Sequence, residues 1–148
     1  MAELWTPTLE QVADHIPTRT RNAASPGDTA LSGTFSAQTE PTDEQARRHI
    51  AAAVAEVLGA VGGAVPTAPT FLYHLASEAA ALRAAADIEL AYPNRNADAD
   101  RFPQLDQRAK DALDRLKQAM DDQGSGTEGS LLPQWAFPEP AWYGDYPL

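Results

Sequence analysis

Alanine-rich stretches with larger apolar residues at helical spacing dominate the chain, and most of them end at a proline or a glycine pair. Alanine makes up about a fifth of the 148 residues, and it favours helix because it loses no side-chain entropy there. Aromatic residues amount to only 7%, so closely approaching helices are favoured over a bulky core. The pattern predicts an all-α fold: a small bundle of about four helices, with a long loop after the first helix and an extended Pro/aromatic C-terminal arm.

The first two predicted helices have clear start signals. The first covers about 7–16, with Thr6 as N-cap and Pro7 at the first helical position. The second begins with a capping box, because Thr42 is followed three residues later by Gln45. The glycine pair at 62–63 ends it. Its apolar residues share one wide face: Ile50, Val54, Val57, Leu58 and Val61.

The third and fourth predicted helices are longer. Thr67 or Thr70 caps the third, which runs to about Tyr92 because the residue before a proline disfavours helical geometry. Its main face consists of Leu72, Leu75, Ala79, Leu82, Ala86 and Leu90, widened by Phe71, Ile88 and Tyr92. Such an arc needs neighbours on more than one side, from this chain or from another subunit. The fourth helix runs from about 102 or 103 to Gln123.

The rest of the chain divides into a loop, a linker and an arm. Residues 19–40 carry turn formers and form a long loop, in which the stretches 29–31 and 34–36 could pair as a small hairpin. Residues 124–130 are a flexible linker by composition. The domain organisation predicted is therefore a helical domain over 1–123, the linker, and an extended arm over 131–148.

Charge and composition exclude several classes of protein. The chain has 11 Lys and Arg against 21 Asp and Glu, a net charge of −10, which disfavours wrapping nucleic acid through its phosphates. Without cysteine there is no disulfide scaffold, thiolate zinc site or cysteine nucleophile. No apolar run approaches the roughly 20 residues that span a bilayer, and the N-terminus lacks a signal-peptide pattern. We therefore expect a soluble protein made in a reducing compartment, without a membrane partner.

Catalytic motifs do not emerge from the sequence. It contains no phosphate-binding loop and no Gly-x-Ser-x-Gly nucleophile motif. Its three histidines lie on three different predicted helices, and only His74 has a metal-ligand type four residues away, Glu78. A metal site needs a third or fourth ligand, so a metalloenzyme at this pair is only an alternative. We expect no enzyme activity, no catalytic residue, no cofactor and no metal.

The arm over 131–148 is the sharpest feature of the sequence. It carries five of the eleven aromatic residues and four of the twelve prolines, so it forms neither helix nor central strand. Its rings must either pack back on the bundle or be buried by a partner, and Trp and Tyr often anchor interfaces. The residues predicted to bind a partner are Trp135, Phe137, Trp142, Tyr143, Tyr146 and Leu148.

A second set of residues is predicted to form contacts between subunits or rings. Arg19 and Arg21 flank the long loop, Phe35 lies within it, and Arg47 and Arg48 follow the cap of the second helix. Ordinary surface charge is the alternative for the arginines, since exposed pairs contribute only about 0–1 kcal/mol each.

The order and spacing of several strings resemble a known family. These strings are Leu4-Trp5-Thr6-Pro7-Thr8-Leu9-Glu10-Gln11-Val12-Ala13, Arg19-Thr20-Arg21, Gly33-Thr34-Phe35-Ser36 leading to Thr39-Glu40-Pro41-Thr42, and Leu82-Arg83-Ala84-Ala85-Ala86-Asp87-Ile88-Glu89-Leu90-Ala91-Tyr92. Together they resemble the head-to-tail adaptor (connector) proteins of long-tailed phages of actinobacteria. The resemblance covers about residues 4–123 and is a pattern rather than a catalytic signature.

The resemblance implies a structural protein of the virion neck, made in the bacterial host cytoplasm and located between capsid and tail. Such adaptors are helical bundles without catalytic activity that form a homo-oligomeric ring, commonly twelve-fold, beneath the portal. The ring extends the DNA channel, lets DNA pass without specific binding, and joins the portal to the stopper or tail-completion protein. It implies that residues 131–148 dock on the portal and that 19–40 contact neighbours. The alternative is a helical binding module that recognises a regulatory partner through its Pro/aromatic tail.

Overall fold

Five helices follow one another in the computed structural model, which describes residues 5–20, 33–63, 70–93 and 101–125. They are α1 (Leu9–His15), α2 (Pro17–Thr20), α3 (Asp43–Ala60), α4 (Phe71–Ala91) and α5 (Arg101–Ser125). The predicted all-α fold is confirmed, and the helices are compatible with a small bundle. The described part has no strand, so residues 34–36 are not one arm of a hairpin, and residues 29–31 lie outside the described ranges.

Capping boxes begin both α1 and α3. At α3 the predicted box is confirmed, since Thr42 and Gln45 each accept a hydrogen bond from the other's backbone N–H. At α1 the cap is Thr8, and the prediction of Thr6 was wrong. Thr8 has a glutamine three residues on, whose side chain accepts the N–H of the cap at 2.8 Å. Thr6 would have Leu9 at that position, which cannot close a box.

The glycine pair ends α3 as predicted. Gly62 and Gly63 have φ angles of 72° and 85°, a left-handed conformation that costs glycine nothing. The Gly63 N–H donates to the Leu58 carbonyl at 2.9 Å, which satisfies one of the carbonyls that every helix end leaves unpaired. At the next helix Thr70 is the cap of α4, while Thr67 lies outside the described residues.

Helix α4 is the centre of the bundle. Helices α1, α3 and α5 of the same chain all pack against it, and each residue from Ala79 to Ala86 except Arg83 is buried. Its alanines let three neighbours approach closely, which is why a helix with so few large side chains can be buried. The two ends differ from the prediction, because Phe71 is 68% exposed and Leu90 is 60% exposed.

Helix α5 is amphipathic and longer than predicted at both ends. It buries one stripe on the bundle: Leu105, Ala109, Ala112 and Leu116. It begins at Arg101 and ends at Ser125, so residues 124–125 of the predicted linker belong to the helix.

Helix α2 follows α1 where the sequence predicted only a loop. Pro17 comes after the end of α1 and is the first residue of the single turn of α2, a position that suits proline.

Candidate interaction site

An open apolar groove of about 850 Å³ lies between the N-terminal segment and α3. Pro7 and Leu9 line one side of it, while Ile50, Val54 and Leu58 line the other. Ile50 and Val54 are nearly buried. The exposed Ala51 and Ala55 also line the groove, and their short side chains leave it open.

The groove exists because α3 has more apolar surface than one neighbour can cover. Ala46, Ala53 and Val57 are buried in the core, and Val57 lies in a small cavity with Ala79 of α4. Ile50, Val54 and Leu58 follow at intervals of four residues and line the groove, although Ile50 and Val54 are also part of the core. The predicted wide face of α3 therefore serves two purposes: one side packs on α4 and the other faces α1 across an open gap.

Two opposite charges border the groove. Glu10 and Arg47 both line it and both are exposed. No ion pair of Arg47 occurs within the described ranges. Its neighbour Arg48 instead pairs with Glu44 at 2.6 Å on the surface of α3, away from the groove. Arg47, one of the predicted contact residues, thus lies at the border of an open groove.

Arg19 and Phe35 occupy interior positions, in contrast to the prediction that they contact a neighbouring subunit. Arg19 donates through Nε and Nη2 to the two carboxylate oxygens of Glu89, at 3.2 and 2.9 Å, and also to the carbonyl oxygen of Tyr92. The side chains of this ion pair are only 9% and 6% exposed. Phe35 is 3% exposed and belongs to the core. Both side chains therefore hold their own chain together.

The remaining predicted contact residues lie outside the described ranges. They are Arg21, Trp135, Phe137, Trp142, Tyr143, Tyr146 and Leu148.

Arg83 joins three helices through carboxylates. From α4 it contacts Glu56 of α3 at 2.9 Å, Asp87 on its own helix at 3.3 Å and Asp106 of α5 at 3.1 Å. Burial raises the pKa of Asp87, against the opposing effect of Arg83. A hydrogen bond from Lys110 is the main reason that the pKa of Asp106 is lowered. The arrangement is an ion-pair network that links α3, α4 and α5. The cavity that Arg83 lines measures about 20 Å³.

The histidine and glutamate of the metal alternative line a shallow polar cavity of about 240 Å³ between α1 and α4. His15 and Asp14 of α1 face His74 and Glu78 of α4 across it. Burial, followed by the charge of Arg108, lowers the pKa of His15. No three His, Asp or Glu side chains are placed to hold a metal ion among the residues that the structure describes. The pair at His74 and Glu78 therefore gains no third ligand here.

Sequence reasoning missed the groove because its two walls are about forty residues apart in the chain. A signal was present: the apolar arc of α3 is wider than a single neighbouring helix can cover, and two alanines border it. The pattern could not show that the segment from Thr6 to Glu10 forms the opposite wall, because that is a long-range contact.

Comparisons with known proteins add no relative to this picture. No family model matches the chain, and no curated protein or solved structure matches it significantly. Of the helices described, none combines the length and apolar character needed to cross a membrane.

Proposed function

We propose that the protein is a structural component of the phage neck, an adaptor ring that joins the portal to the stopper or tail and extends the DNA channel. The observation that carries the proposal is the order of its parts. An all-α bundle is followed in the sequence, after α5, by a segment rich in proline and aromatic residues. This is the order that the resemblance of residues 4–123 to adaptor proteins implies.

The packing of the bundle supports a scaffolding role. Helix α4 is enclosed by α1, α3 and α5, Arg83 links three of these helices, and Arg19 connects α2 to the end of α4. A domain held in this way can present surface segments to partners without changing shape. In the proposed ring, commonly twelve-fold in such adaptors, Arg47 and Arg48 are the exposed candidates for contacts between subunits.

Electrostatics supports passage of DNA rather than binding. A net charge of −10 repels a phosphate backbone, so a channel formed by this chain would not retain DNA. The proposed partners are accordingly proteins: further copies of the chain, the portal, and the stopper or tail-completion protein. The proposed role includes no catalysis, and the proposed location is the virion neck.

Portal binding by the full chain tests the proposal. We expect the unaltered protein to form rings with the portal encoded beside its gene, and Trp135→Ala or Trp142→Ala to weaken binding by about 30-fold each, the effect of losing about 2 kcal/mol at an interface hot spot. Phe71→Ala is the matched control, because it removes an aromatic side chain that is 68% exposed on the bundle rather than in the arm.

Two results would contradict parts of the proposed neck function. Equal losses for Phe71→Ala and the arm variants would mean that the arm is not the docking element. If the unaltered protein does not bind the portal and mass spectrometry does not find it in purified particles, the neck role fails. The helical binding module that recognises a regulatory partner through its tail then becomes the better interpretation.

A further inference from the structure

The groove between the N-terminal segment and α3 needs an occupant. It is apolar over Pro7, Leu9, Ile50, Val54 and Leu58, and it is open along the exposed Ala51 and Ala55. Open apolar surface of this kind marks an interaction site, because leaving it in contact with water is unfavourable. Arg47, which has no ion pair within the described ranges, and Glu10 both border it. An acidic group of an occupant is therefore favoured on the Arg47 side and disfavoured beside Glu10.

The chain itself contains a segment with the matching chemistry. Among the stretches outside the described ranges, only 131–148 contains aromatic residues, and it has five of them. It carries Glu139 and Asp145 and has no Lys or Arg. Its apolar rings suit the groove, and its acidic residues suit Arg47.

Helix directions bring this segment within reach. Helix α3 runs antiparallel to α4, since His49 packs on the Tyr92 ring at 6.0 Å while Glu56 pairs with Arg83. Arg83 also pairs with Asp106 near the start of α5, and Ala109 and Leu113 adjoin Ala79, so α5 is antiparallel to α4 as well. Helices α3 and α5 therefore end at the same end of the bundle, where Leu58 lies in the groove.

The distances agree with this route. Leu113 adjoins Val57 in a small cavity, and Ser125 follows twelve residues later, about 18 Å further along the helix axis. The nine residues from 126 to 134 span up to about 30 Å when extended, which suffices to return from Ser125 to Leu58. From there to Arg47 is about 16 Å along α3. Trp135 to Glu139 spans up to about 14 Å, and the long side chains of Arg47 and Glu139 can cover the remaining distance of about 2 Å.

We propose that the groove binds the arm of the same chain in the free subunit. Trp135 and Phe137 lie against Ile50, Val54 and Leu58, and Glu139 approaches Arg47. The arm is thereby stored on its own bundle, and any partner that takes the aromatic rings must compete with the groove. This inference does not depend on the neck function, although it gives that function a means of delaying arm docking until assembly.

Disulfide trapping in the full chain tests the contact, since the natural sequence has no cysteine. The test variant combines Ala55→Cys in the groove with Ala136→Cys in the arm. The control combines Ala52→Cys with Ala136→Cys, because Ala52 is equally exposed on α3 but does not line the groove. We expect intrachain cross-linking to be about tenfold faster in the test variant, the ratio that 1.4 kcal/mol of docking free energy produces.

The outcomes of the trapping experiment separate the occupants. A fast cross-link within one chain supports the proposal. Equal rates in test and control would overturn it, because an unbound arm meets both sites equally often. A cross-linked dimer formed in preference would also overturn it, since the occupant would then be the arm of a second copy.

Tryptophan quenching gives a second, independent measurement. Trp5 is fully buried, so Trp135 and Trp142 are the tryptophans whose access to acrylamide can change. We expect Ala51→Glu, which places a charge in the groove, to increase quenching, and the control Ala52→Glu to leave it unchanged. Unchanged quenching in Ala51→Glu would contradict the proposal. Neither experiment uses the portal, so a failure here is distinguishable from a failure of the neck function.

Discussion

At the scale of single residues, the ion pair between Arg19 and Glu89 is the most consequential interaction of the bundle. Two parallel hydrogen bonds join the guanidinium to the carboxylate, and a third reaches the Tyr92 carbonyl at the end of α4. A buried pair is worth little over an apolar replacement, because desolvation offsets its attraction. Removing one partner is different, since it leaves an uncompensated charge in a site that is less than 10% exposed.

Arg19→Met is expected to lower the free energy of unfolding by about 3–5 kcal/mol, the usual cost of breaking a buried pair. Arg48→Ala is the control, because its pair with Glu44 is about three-quarters exposed and should contribute less than about 0.5 kcal/mol. Urea unfolding followed by circular dichroism measures both. A loss below about 1 kcal/mol for Arg19→Met, or no recovery in the double variant Arg19→Met with Glu89→Leu, would contradict the argument.

His15 makes stability depend on pH. Burial disfavours its charged form and the neighbouring Arg108 adds to this, so its pKa is lower in the folded than in the unfolded chain, while Glu78 and Asp14 oppose the shift. As pH falls below about 6.5, the unfolded chain binds the proton first, and stability decreases until the folded His15 is also protonated.

We expect the urea concentration at the unfolding midpoint to decrease as the pH is lowered from 7 to 5. His15 contributes a decrease in the free energy of unfolding of at most about 1.4 kcal/mol per pH unit. His15→Gln should flatten that part of the profile, whereas His74→Gln, across the same cavity, should leave most of the decrease in place. An identical pH profile for His15→Gln and the natural protein would contradict the assignment.

At the scale of elements, a close backbone contact between Gly33 and Thr20 joins the segment before α3 to the end of α2. A Cβ at Gly33 would lie 2.4 Å from the carbonyl oxygen of Thr20, closer than real contacts allow. Backbone atoms of α2 cannot yield as a flexible side chain would, so glycine is required there. Gly59, near the end of α3, has open space around its Cβ position, so its glycine only weakens the helix.

Opposite effects are therefore expected from the same substitution at these two glycines. Gly33→Ala should destabilise the fold by about 1–3 kcal/mol, the usual cost of overpacking. Gly59→Ala should stabilise it by about 0.5–1 kcal/mol, because alanine is the better helix former. Thermal unfolding of both variants gives the comparison, and a stabilised Gly33→Ala would show that Thr20 and Gly33 are not in contact.

Elements that depend on nearby residues could be predicted from the sequence. The capping box of Thr42 and Gln45, the glycine pair at 62–63 and the helical spacing of α4 all depend on residues close together in the chain. The structure has the box, the glycine pair after α3 and the helix α4, while Phe71 and Leu90 of the predicted apolar arc are exposed. What the sequence pattern could not show involves partners distant in the chain. Arg19 carries no local sign of its pairing with Glu89, seventy residues later. The groove likewise could not be predicted, because nothing local in the sequence indicates that the N-terminal segment packs beside α3.

At the scale of the whole molecule, charge and apolar surface separate two kinds of partner. The large net negative charge acts at long range and repels other polyanions. The groove acts at short range through apolar contact and favours a segment of protein. These two properties favour contact with proteins over contact with DNA, as the proposed adaptor ring would require.

DNA exclusion can be measured directly on the full chain. We expect no change in the anisotropy of a labelled DNA duplex at 50 mM salt with up to about 100 μM protein, a concentration at which non-specific DNA-binding proteins bind. A histone-like basic protein of similar size serves as the positive control. Binding that weakens steeply as salt increases would show that lysines and arginines gather on one face despite the net charge of −10. Such a face would grip the phosphates of DNA in a channel, so this result would count against the proposed neck role even if the arm bound the portal.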